Sequence, residues 1–272
     1  MEASQLTNKA DLKLNTKIVR DLLIQFIRDQ MTNAGFTKGI IGVSGGVDSA
    51  VTMTLAAEAL GKENVLGIML PYRTSNPKSA EDAKLVIQKT SVRSELVNIS
   101  KMVDAYCEEN GITDSIRRGN VMARMRMIVL YDLSVREKGL VIGTSNKTEI
   151  LVGYGTQYGD VACAFNPLGD LYKSQIWQLA EELGVPKSII EKAPSADLWE
   201  GQTDEGEIGV TYKELDALLF NMVDQQHSDE ELVALGFVEK PIKKVREMIQ
   251  KNQFKSRMPA IAKVSYRPVN VT

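Results

Sequence analysis

Residues 39–50 of the 272-residue chain read Gly-Ile-Ile-Gly-Val-Ser-Gly-Gly-Val-Asp-Ser-Ala, and this stretch is the strongest indication of the fold. Ile40, Ile41 and Val43 form a short apolar run that predicts a buried strand. A helical pattern begins after the glycines, with Ala50, Val51, Met53, Leu55 and Ala56. The sequence therefore predicts a strand that passes into a helix through a tight, glycine-rich turn.

The turn, Ser44-Gly45-Gly46, has the features of an anion site. Backbone N–H groups point out of such a turn, and the positive end of the helix dipole faces the same way. Asp48 would repel a bare phosphate, so it is best explained as a ligand for Mg²⁺ carried by the phosphate. The turn matches neither G-x-x-x-x-G-K-[ST] nor G-x-G-x-x-G, which excludes two commoner nucleotide motifs. The alternative is a tight connection that binds nothing.

Composition and charge exclude several classes of protein. The formal net charge of −2 gives no general attraction to nucleic acid or to an anionic membrane surface. Cys107 and Cys163 lack metal-ligand spacing and fit free thiols in a reducing cytosol. His227 is the only histidine, which excludes histidine-based zinc sites and Ser-His-Asp triads. Without a signal-peptide pattern or a membrane-length apolar run, we expect a cytoplasmic protein with no nucleic-acid and no membrane partner.

Strands and helices alternate in the predicted elements. Strands are predicted at residues 40–43, 65–70, 95–99 and 140–142, and helices at 16–34, from 50, and at 79–89, 117–138, 173–183, 212–223, 229–235 and 238–250. Residues 151–170 are predicted to be irregular, and residues 197–209 to be a mobile loop. The pattern favours an α/β fold, a doubly wound parallel sheet of about five strands with helices on both faces. With no convincing linker, one domain over residues 1–272 is expected.

Two carboxylates are expected to meet at one point of this sheet. Ligands of doubly wound sheets bind at the carboxyl ends of the strands, where the winding direction reverses. If the first strand is central and the fourth lies beside it, Asp48 and Glu149 reach the same crevice. That arrangement suits Mg²⁺ and a polyphosphate. A lone glutamate at a helix start is equally well explained as a capping or dipole partner.

Several sequence blocks, in order, resemble ammonia-dependent NAD synthetases over nearly the whole chain. The Ser-Gly-Gly-x-Asp-Ser order is similar to the pyrophosphate-binding loop of ATP pyrophosphatases, which activate substrates by adenylation. The blocks are Gly-Val-Ser-Gly-Gly-Val-Asp-Ser (42–49), Arg-Gly-Asn-Val-Met-Ala-Arg-Met-Arg (118–126), Gly-Thr-Ser-Asn-Lys-Thr-Glu (143–149), Tyr-Gly-Asp (158–160), Asn-Pro-Leu-Gly-Asp-Leu-Tyr-Lys (166–173) and Pro-Ser-Ala-Asp-Leu (194–198). The first block is shared by several synthetases, whereas the later blocks together are specific.

The resemblance implies a fold like that of the adenine nucleotide alpha-hydrolases and a two-step reaction. The nicotinate carboxylate of deamido-NAD attacks the α-phosphate of ATP, which gives an acyl-adenylate and pyrophosphate. Ammonia then attacks the activated carbonyl to form the amide of NAD, and AMP leaves. The resemblance further implies Mg²⁺, a homodimer with deamido-NAD near the subunit interface, and no glutaminase domain.

The resemblance also assigns site residues. Residues that would contact ATP are Gly42, Val43, Ser44, Gly45, Gly46, Val47, Asp48, Ser49, Arg73, Thr144, Lys173 and Ser195. Asp48 and Glu149 would hold Mg²⁺. Residues on the deamido-NAD side would be Arg124, Gln157, Asp160 and Lys255. Asp48, Lys173 and Asp160 would be catalytic, with Lys173 neutralising the phosphates and Asp160 positioning ammonia.

Three departures from the family pattern lie on the deamido-NAD side. Gln157 stands where many relatives have lysine, Ala164 where many have aspartate, and Phe254 where many have histidine. Either the chain holds the dinucleotide differently or its acceptor differs. Two further alternatives are another adenylating ligase that forms an amide or a thio product, and a non-catalytic ATP-binding module. The module would not need Asp48, Glu149 and Lys173 together.

Overall fold

The sheet consists of four parallel strands. The computed structural model describes residues 10–195, 203–257, 259–262 and 264. The strands are β1 (Lys38–Gly42), β2 (Val65–Met69), β3 (Arg93–Leu96) and β4 (Gly139–Val141), in the order β3-β2-β1-β4. Ile40 lies opposite Leu66 on one side and Val141 on the other. The winding therefore reverses between β1 and β4, which confirms the predicted doubly wound sheet.

The helices connect and cover these strands. Their bounds are α1 (Thr16–Ala34), α2 (Val47–Leu60), α3 (Pro77–Thr90), α4 (Ser100–Glu109), α5 (Ser115–Glu137), α6 (Lys147–Val152), α7 (Lys173–Glu182), α8 (Lys187–Ile190), α9 (Asp204–Ile208), α10 (Tyr212–Leu219), α11 (Asp229–Ala234) and α12 (Glu239–Asn252). A π-helical turn, Phe220–Asp224, continues α10. Across the part of the chain that the structure describes, none of these helices combines the length and the apolar character needed to cross a membrane.

Four details differ from the sequence-based expectation. The sheet has four strands rather than about five, with only an isolated parallel bridge between Ile142 and Phe165 beyond β4. The third strand spans Arg93–Leu96 rather than 95–99, and it pairs with β2 from Arg93 opposite Leu66 to Leu96 opposite Met69. α4 and the short helices α6 and α8 were not among the predicted helices. The prediction of a loop at residues 197–209 is wrong at Asp204–Ile208, which form α9, and residues 197–202 lie outside the described residues.

Helices pack on both faces of the sheet, as expected. Apolar residues of α1, α2, α3 and α7 form one core cluster with Ile41. Those of α4 and α5 form another on the opposite face, with Ile40 and Ile68. A third cluster joins α10, α11 and α12 around Tyr172 and Tyr212.

Glu137 fastens the end of α5 to the sheet. Its carboxylate accepts a 2.7 Å hydrogen bond from Arg93 of β3 and a 3.4 Å bond from Lys38 of β1. The hydrogen bond from Arg93, followed by that from Lys38, lowers the pKa of Glu137 to about 2. The ionised carboxylate therefore stabilises the packing of α5 on the strands.

Candidate active site

The glycine turn between β1 and α2 is internally braced. The amide of Ser44 donates to Ser49 Oγ at 3.3 Å, and the amide of Gly46 donates to Ser44 Oγ at 3.2 Å. Ser49 Oγ donates in turn to the Gly46 carbonyl at 3.0 Å. Gly46 is the N-cap of α2 and has no side chain with which to cap the first-turn N–H groups. These donors are therefore available to an anion at the turn.

Asp48 and Glu149 converge on one buried lysine. The ammonium of Lys173 lies 2.6 Å from Asp48 Oδ2 and 3.5 Å from Glu149 Oε1. Asp48 follows β1, Glu149 follows β4, and Lys173 begins α7. Because β1 and β4 are neighbours, their carboxyl ends meet at the switch point, as the sequence predicted. The structure thus brings together the three residues on which the sequence argument most depends.

Asn146 joins the same two carboxylates from the other side. Its amide Nδ2 donates to Asp48 Oδ1 at 2.9 Å, and its backbone N–H donates to Glu149 Oε2 at 3.4 Å. Its Oδ1 accepts from the amide of Glu149 at 3.0 Å, so the pair forms a capping box at the start of α6. The capping alternative for Glu149 is therefore present in the structure, and it leaves Oε1 directed at Lys173.

The charges of this cluster are strongly coupled. Burial is the main cause that raises the pKa of Glu149, the charge of Lys173 opposes it and that of Asp48 adds to it, and the net result is a pKa of about 8. Burial alone would lower the pKa of Lys173, but Asp48 and Glu149 outweigh that effect and raise it above its ordinary value. The lysine is therefore a permanent cation, and a second cation would favour the ionised form of Glu149.

The donor set fits Mg²⁺. Asp48 and Glu149 offer hard carboxylate oxygens from two different elements, and the ammonium of Lys173, which contacts one oxygen of each, would compete with a metal ion for them. Across the described residues, no group of three or more histidine, cysteine or acidic side chains forms a metal cage. Mg²⁺ characteristically uses one or two carboxylates together with substrate phosphates, so two are sufficient.

Buried polar residues fix the positions of Lys173 and Glu149. Asp216 is fully buried; it accepts from Thr148 Oγ1 at 2.6 Å and from the amide of Ser174 at 2.7 Å. Thr148 Oγ1 accepts from the amide of Lys173 at 3.0 Å. This network fixes the start of α7 against α6, and so fixes the positions of Lys173 and Glu149.

A third carboxylate lies near the cluster. Asp204 of α9 is 4% exposed and accepts from the hydroxyls of Tyr154 at 2.9 Å and Tyr212 at 3.0 Å. Burial raises the pKa of Asp204, and the charge of Lys173 opposes that shift. The ring of Tyr212 also lies 5.1 Å from Lys173 Nζ. The segment after residue 202 therefore contributes to the wall of the site.

The residues assigned to the acceptor gather around the turn at residues 153–160. Arg124 Nη2 donates to the Gln157 carbonyl at 3.2 Å. Asp160 Oδ1 accepts from the amide of Thr156 at 2.7 Å. Lys255 Nζ donates to the carbonyls of Gly153 at 2.8 Å and Gly155 at 3.1 Å. The structure thus groups Arg124, Gln157, Asp160 and Lys255 around one turn.

The remaining assigned residues are placed as follows. Thr144 lies three residues after the end of β4 and is half-buried, and Ser195 is exposed. Arg73 forms an ion pair with Asp104 of α4 at 2.9 Å, so its contacts lie on the α4 side. Ala164 and Phe254, two of the three departures, are exposed, with Phe254 at 58%.

Sequence reasoning missed four residues of the site: Asn146, Asp204, Asp216 and Lys192. Asn146 had a readable signal, because Asn followed three positions later by Glu predicts a capping box. The other three carry no local signal. Lys192 Nζ lies 2.9 Å from Asp82 Oδ2 and 3.5 Å from the Gly45 carbonyl, contacts that bridge 110 and 147 residues.

Comparison with known proteins gives consistent results. The family model described as NAD synthase matches residues 19–259. The chain is 54% identical over 259 residues to the NH(3)-dependent NAD(+) synthetase of Trichlorobacter lovleyi, covering 95% of each chain. It is 49% identical over 257 residues to the protein of that name from Fusobacterium nucleatum, covering 94% of this chain and 99% of the other.

Two solved structures are also similar. The NH3-dependent NAD synthetase from Campylobacter jejuni superposes with a TM-score of 0.79 at 35% identity, covering 92% of this chain and 100% of the other. The NMN synthetase from Francisella tularensis superposes with a TM-score of 0.82 at 31% identity, covering 92% and 99%.

Proposed function

The chain belongs to the NAD synthase family, and we propose that the cluster of Asp48, Glu149 and Lys173 is the place where it adenylates its acceptor. It is an ammonia-dependent ligase that amidates deamido-NAD with ATP, giving NAD, AMP and pyrophosphate through an acyl-adenylate. The observation that carries the proposed location is the convergence of both carboxylates on Lys173 beside the glycine turn.

The chemistry explains why the site holds charge rather than a nucleophile. A carboxylate acylates poorly because its leaving group would be oxide. In the first step a carboxylate oxygen forms a bond to the α-phosphorus, and the bond to pyrophosphate breaks. The turn's N–H groups and Lys173 would hold the departing charge, and rigid donors need no reorganisation as that charge develops.

The second step needs a free ammonia lone pair. Ammonia adds to the activated carbonyl, AMP leaves with the electrons of the broken C–O bond, and one proton is released. Asp160, held at the amide of Thr156, would accept a proton from ammonium or from the adduct. Arg124 and Lys255, which both donate to carbonyls of this turn, would meet the anionic acceptor.

Asp48 and Glu149 would hold Mg²⁺, whose chemistry in such a site is to neutralise polyphosphate charge. Lys173 contacts one oxygen of each carboxylate, and its charge opposes the rise in the pKa of Glu149 that burial causes. Asn146 fixes the orientation of both. The pKa of about 8 for Glu149 would fall when a dication lies beside it.

The proposal is tested by replacing Asp48 with Asn. Purified protein is supplied with ATP, Mg²⁺, deamido-NAD and ammonium, and pyrophosphate and NAD are both measured. Asp48→Asn should abolish pyrophosphate release while circular dichroism remains that of the parent. Undiminished release would refute the role of Asp48 and would leave the family's reaction untouched.

The similarity to an NMN synthetase defines a second acceptor to compare. Amidation that yields NMN would start from nicotinate mononucleotide. The family resemblance assigns the three departures, Gln157, Ala164 and Phe254, to the acceptor side. The higher identity to proteins named NAD(+) synthetases favours the dinucleotide. We expect kcat/KM for deamido-NAD to exceed that for the mononucleotide, and the reverse order would reassign the acceptor.

A homodimer is proposed from the surface of α5. Ile128, Tyr131 and Val135 are exposed to 51%, 38% and 78% and recur on one helix face. Arg124 belongs to the same face at a spacing of four residues. A second copy packed on this face would cover the apolar stripe and bring the acceptor residues next to the subunit interface.

We also propose that the described residues form one domain. Trp177 packs against both the sheet cluster and the cluster of α10, α11 and α12. A single cooperative unfolding transition by fluorescence and by circular dichroism is expected. Two separate transitions would contradict it.

A further inference from the structure

Lys192 lies at the glycine turn and has no role in the mechanism described so far. It follows α8 and is half-buried. Its ammonium donates to Asp82 Oδ2 at 2.9 Å and to Ser79 Oγ at 3.1 Å, and it lies 3.5 Å from the Gly45 carbonyl. An ammonium has three N–H donors, and a 3.5 Å contact is a poor hydrogen bond. One donor at the turn is therefore available to a better acceptor.

The position of Lys192 is fixed by rigid groups. Asp82 and Ser79 belong to α3 and are buried, at 2% and 9% exposure. α3 packs directly on the turn, since a Cβ on Gly45 would fall inside van der Waals distance of the Ser79 carbonyl oxygen. The ammonium is therefore held at the turn by helix-borne partners, and a phosphate group there would gain a preorganised cation.

We propose that Lys192 is a second phosphate-binding lysine, and that the pyrophosphate part of ATP lies between it and Lys173. Lys173 reaches the turn from the β4 side, together with Glu149. Lys192 reaches it from the β2 side, through Asp82 of α3. This inference rests on the proposed role of the turn as the pyrophosphate site. It adds a charge that stabilises the leaving group as its bond to the α-phosphorus breaks.

A purely structural role makes a different prediction. If Lys192 only balances the buried charge of Asp82, then removing both charges together restores a sound site. If Lys192 binds phosphate, the double variant lacks that cation and remains defective. Asp82→Asn/Lys192→Gln therefore separates the two roles, and it also covers the case in which Lys192→Gln alone misfolds around an unpaired carboxylate.

The test is calorimetric titration of the full chain with inorganic pyrophosphate in the presence of Mg²⁺. We expect Lys192→Gln and the double variant to bind pyrophosphate roughly 10- to 100-fold more weakly than the parent, as expected for one lost charge-assisted hydrogen bond. Lys243→Gln, which removes the same charge from an exposed pair with Glu239 on α12, should bind like the parent.

Three results would overturn the inference: parental affinity in Lys192→Gln, recovery of parental affinity in the double variant, or no pyrophosphate binding by the parent. NAD synthesis by the parent is measured in parallel. If the parent binds pyrophosphate in a way that requires Lys192 but makes no NAD, the proposed function is contradicted and this inference stands. NAD synthesis with unchanged pyrophosphate affinity in Lys192→Gln would do the opposite.

Discussion

Replacing Lys173 with Met should destabilise the ligand-free protein and make it more responsive to Mg²⁺. The substitution keeps the length of the side chain and removes the ammonium 2.6 Å from Asp48 and 3.5 Å from Glu149. Two carboxylates then share a site without a cation. Removing one partner of a buried ion pair costs about 3–5 kcal/mol. Because the side chains of Asp48 and Glu149 are 16% and 18% exposed, we expect the lower end.

The expected change is large enough to measure by thermal unfolding. A loss of about 3 kcal/mol corresponds to a Tm lower by roughly 6 °C for a chain of this size. Added Mg²⁺ should recover part of it, because the unpaired carboxylates now attract the ion without competition from an ammonium. At a concentration about tenfold above the dissociation constant, the gain is about 1.4 kcal/mol, or roughly 3 °C.

The control is Lys243→Met, which breaks an exposed pair with Glu239 and should leave Tm unchanged with or without Mg²⁺. An unchanged Tm in Lys173→Met would refute the view that Lys173 holds two otherwise repelling carboxylates. An equal Mg²⁺ response in the parent and in Lys173→Met would refute the assignment of the metal to these carboxylates.

Three further predictions concern the turn, the sheet and the subunit contact. Gly45→Ala should lower the free energy of unfolding by about 2–4 kcal/mol and weaken pyrophosphate binding, because Gly45 has φ +79° and a Cβ there meets the Ser79 carbonyl. Gly35→Ala, at φ +74° in open space, should lower it by only about 1 kcal/mol in denaturant unfolding. Equal losses in the two variants would contradict the steric argument. Glu137→Gln should lower Tm at pH 7. The difference in Tm from the parent should shrink as pH falls from 4.5 towards about 2, because the carboxylate of Glu137 stabilises the fold only while it is ionised. A difference that persists in acid would disprove this role of Glu137. Val135→Asp should shift the molar mass measured by light scattering from dimer to monomer, and a monomeric parent would remove the proposed interface.

The parts of the structure that follow from local sequence could be predicted. The run Ile40, Ile41 and Val43, the glycine turn and the helix after it specify one strand–turn–helix unit, because burial and backbone freedom act on neighbouring residues. The meeting of Asp48 with Glu149 also followed, since parallel strands wound in two directions leave one crevice at the switch point.

Other parts depend on contacts between residues far apart in the chain. Asp216 meets the amide of Ser174 across 42 residues, and Lys192 meets Asp82 across 110. The periodicity of the sequence does not predict such pairs, because the local sequence around a buried aspartate does not differ from that around an exposed one. α9 could not be predicted for a different reason. It spans only five residues, Asp204–Ile208, four of them polar or glycine, and its Asp204 accepts hydrogen bonds from the distant Tyr154 and Tyr212.

The most direct measurement of the central claim follows pyrophosphate and NAD together in one reaction. The purified chain is incubated with ATP, Mg²⁺, deamido-NAD and ammonium, and both products are quantified for the parent, for Asp48→Asn and for Lys243→Gln. The parent and Lys243→Gln should release one pyrophosphate for each NAD formed, and Asp48→Asn should release neither. Absence of both products in the parent, or equal release by Asp48→Asn, would contradict the claim that adenylation takes place at this turn.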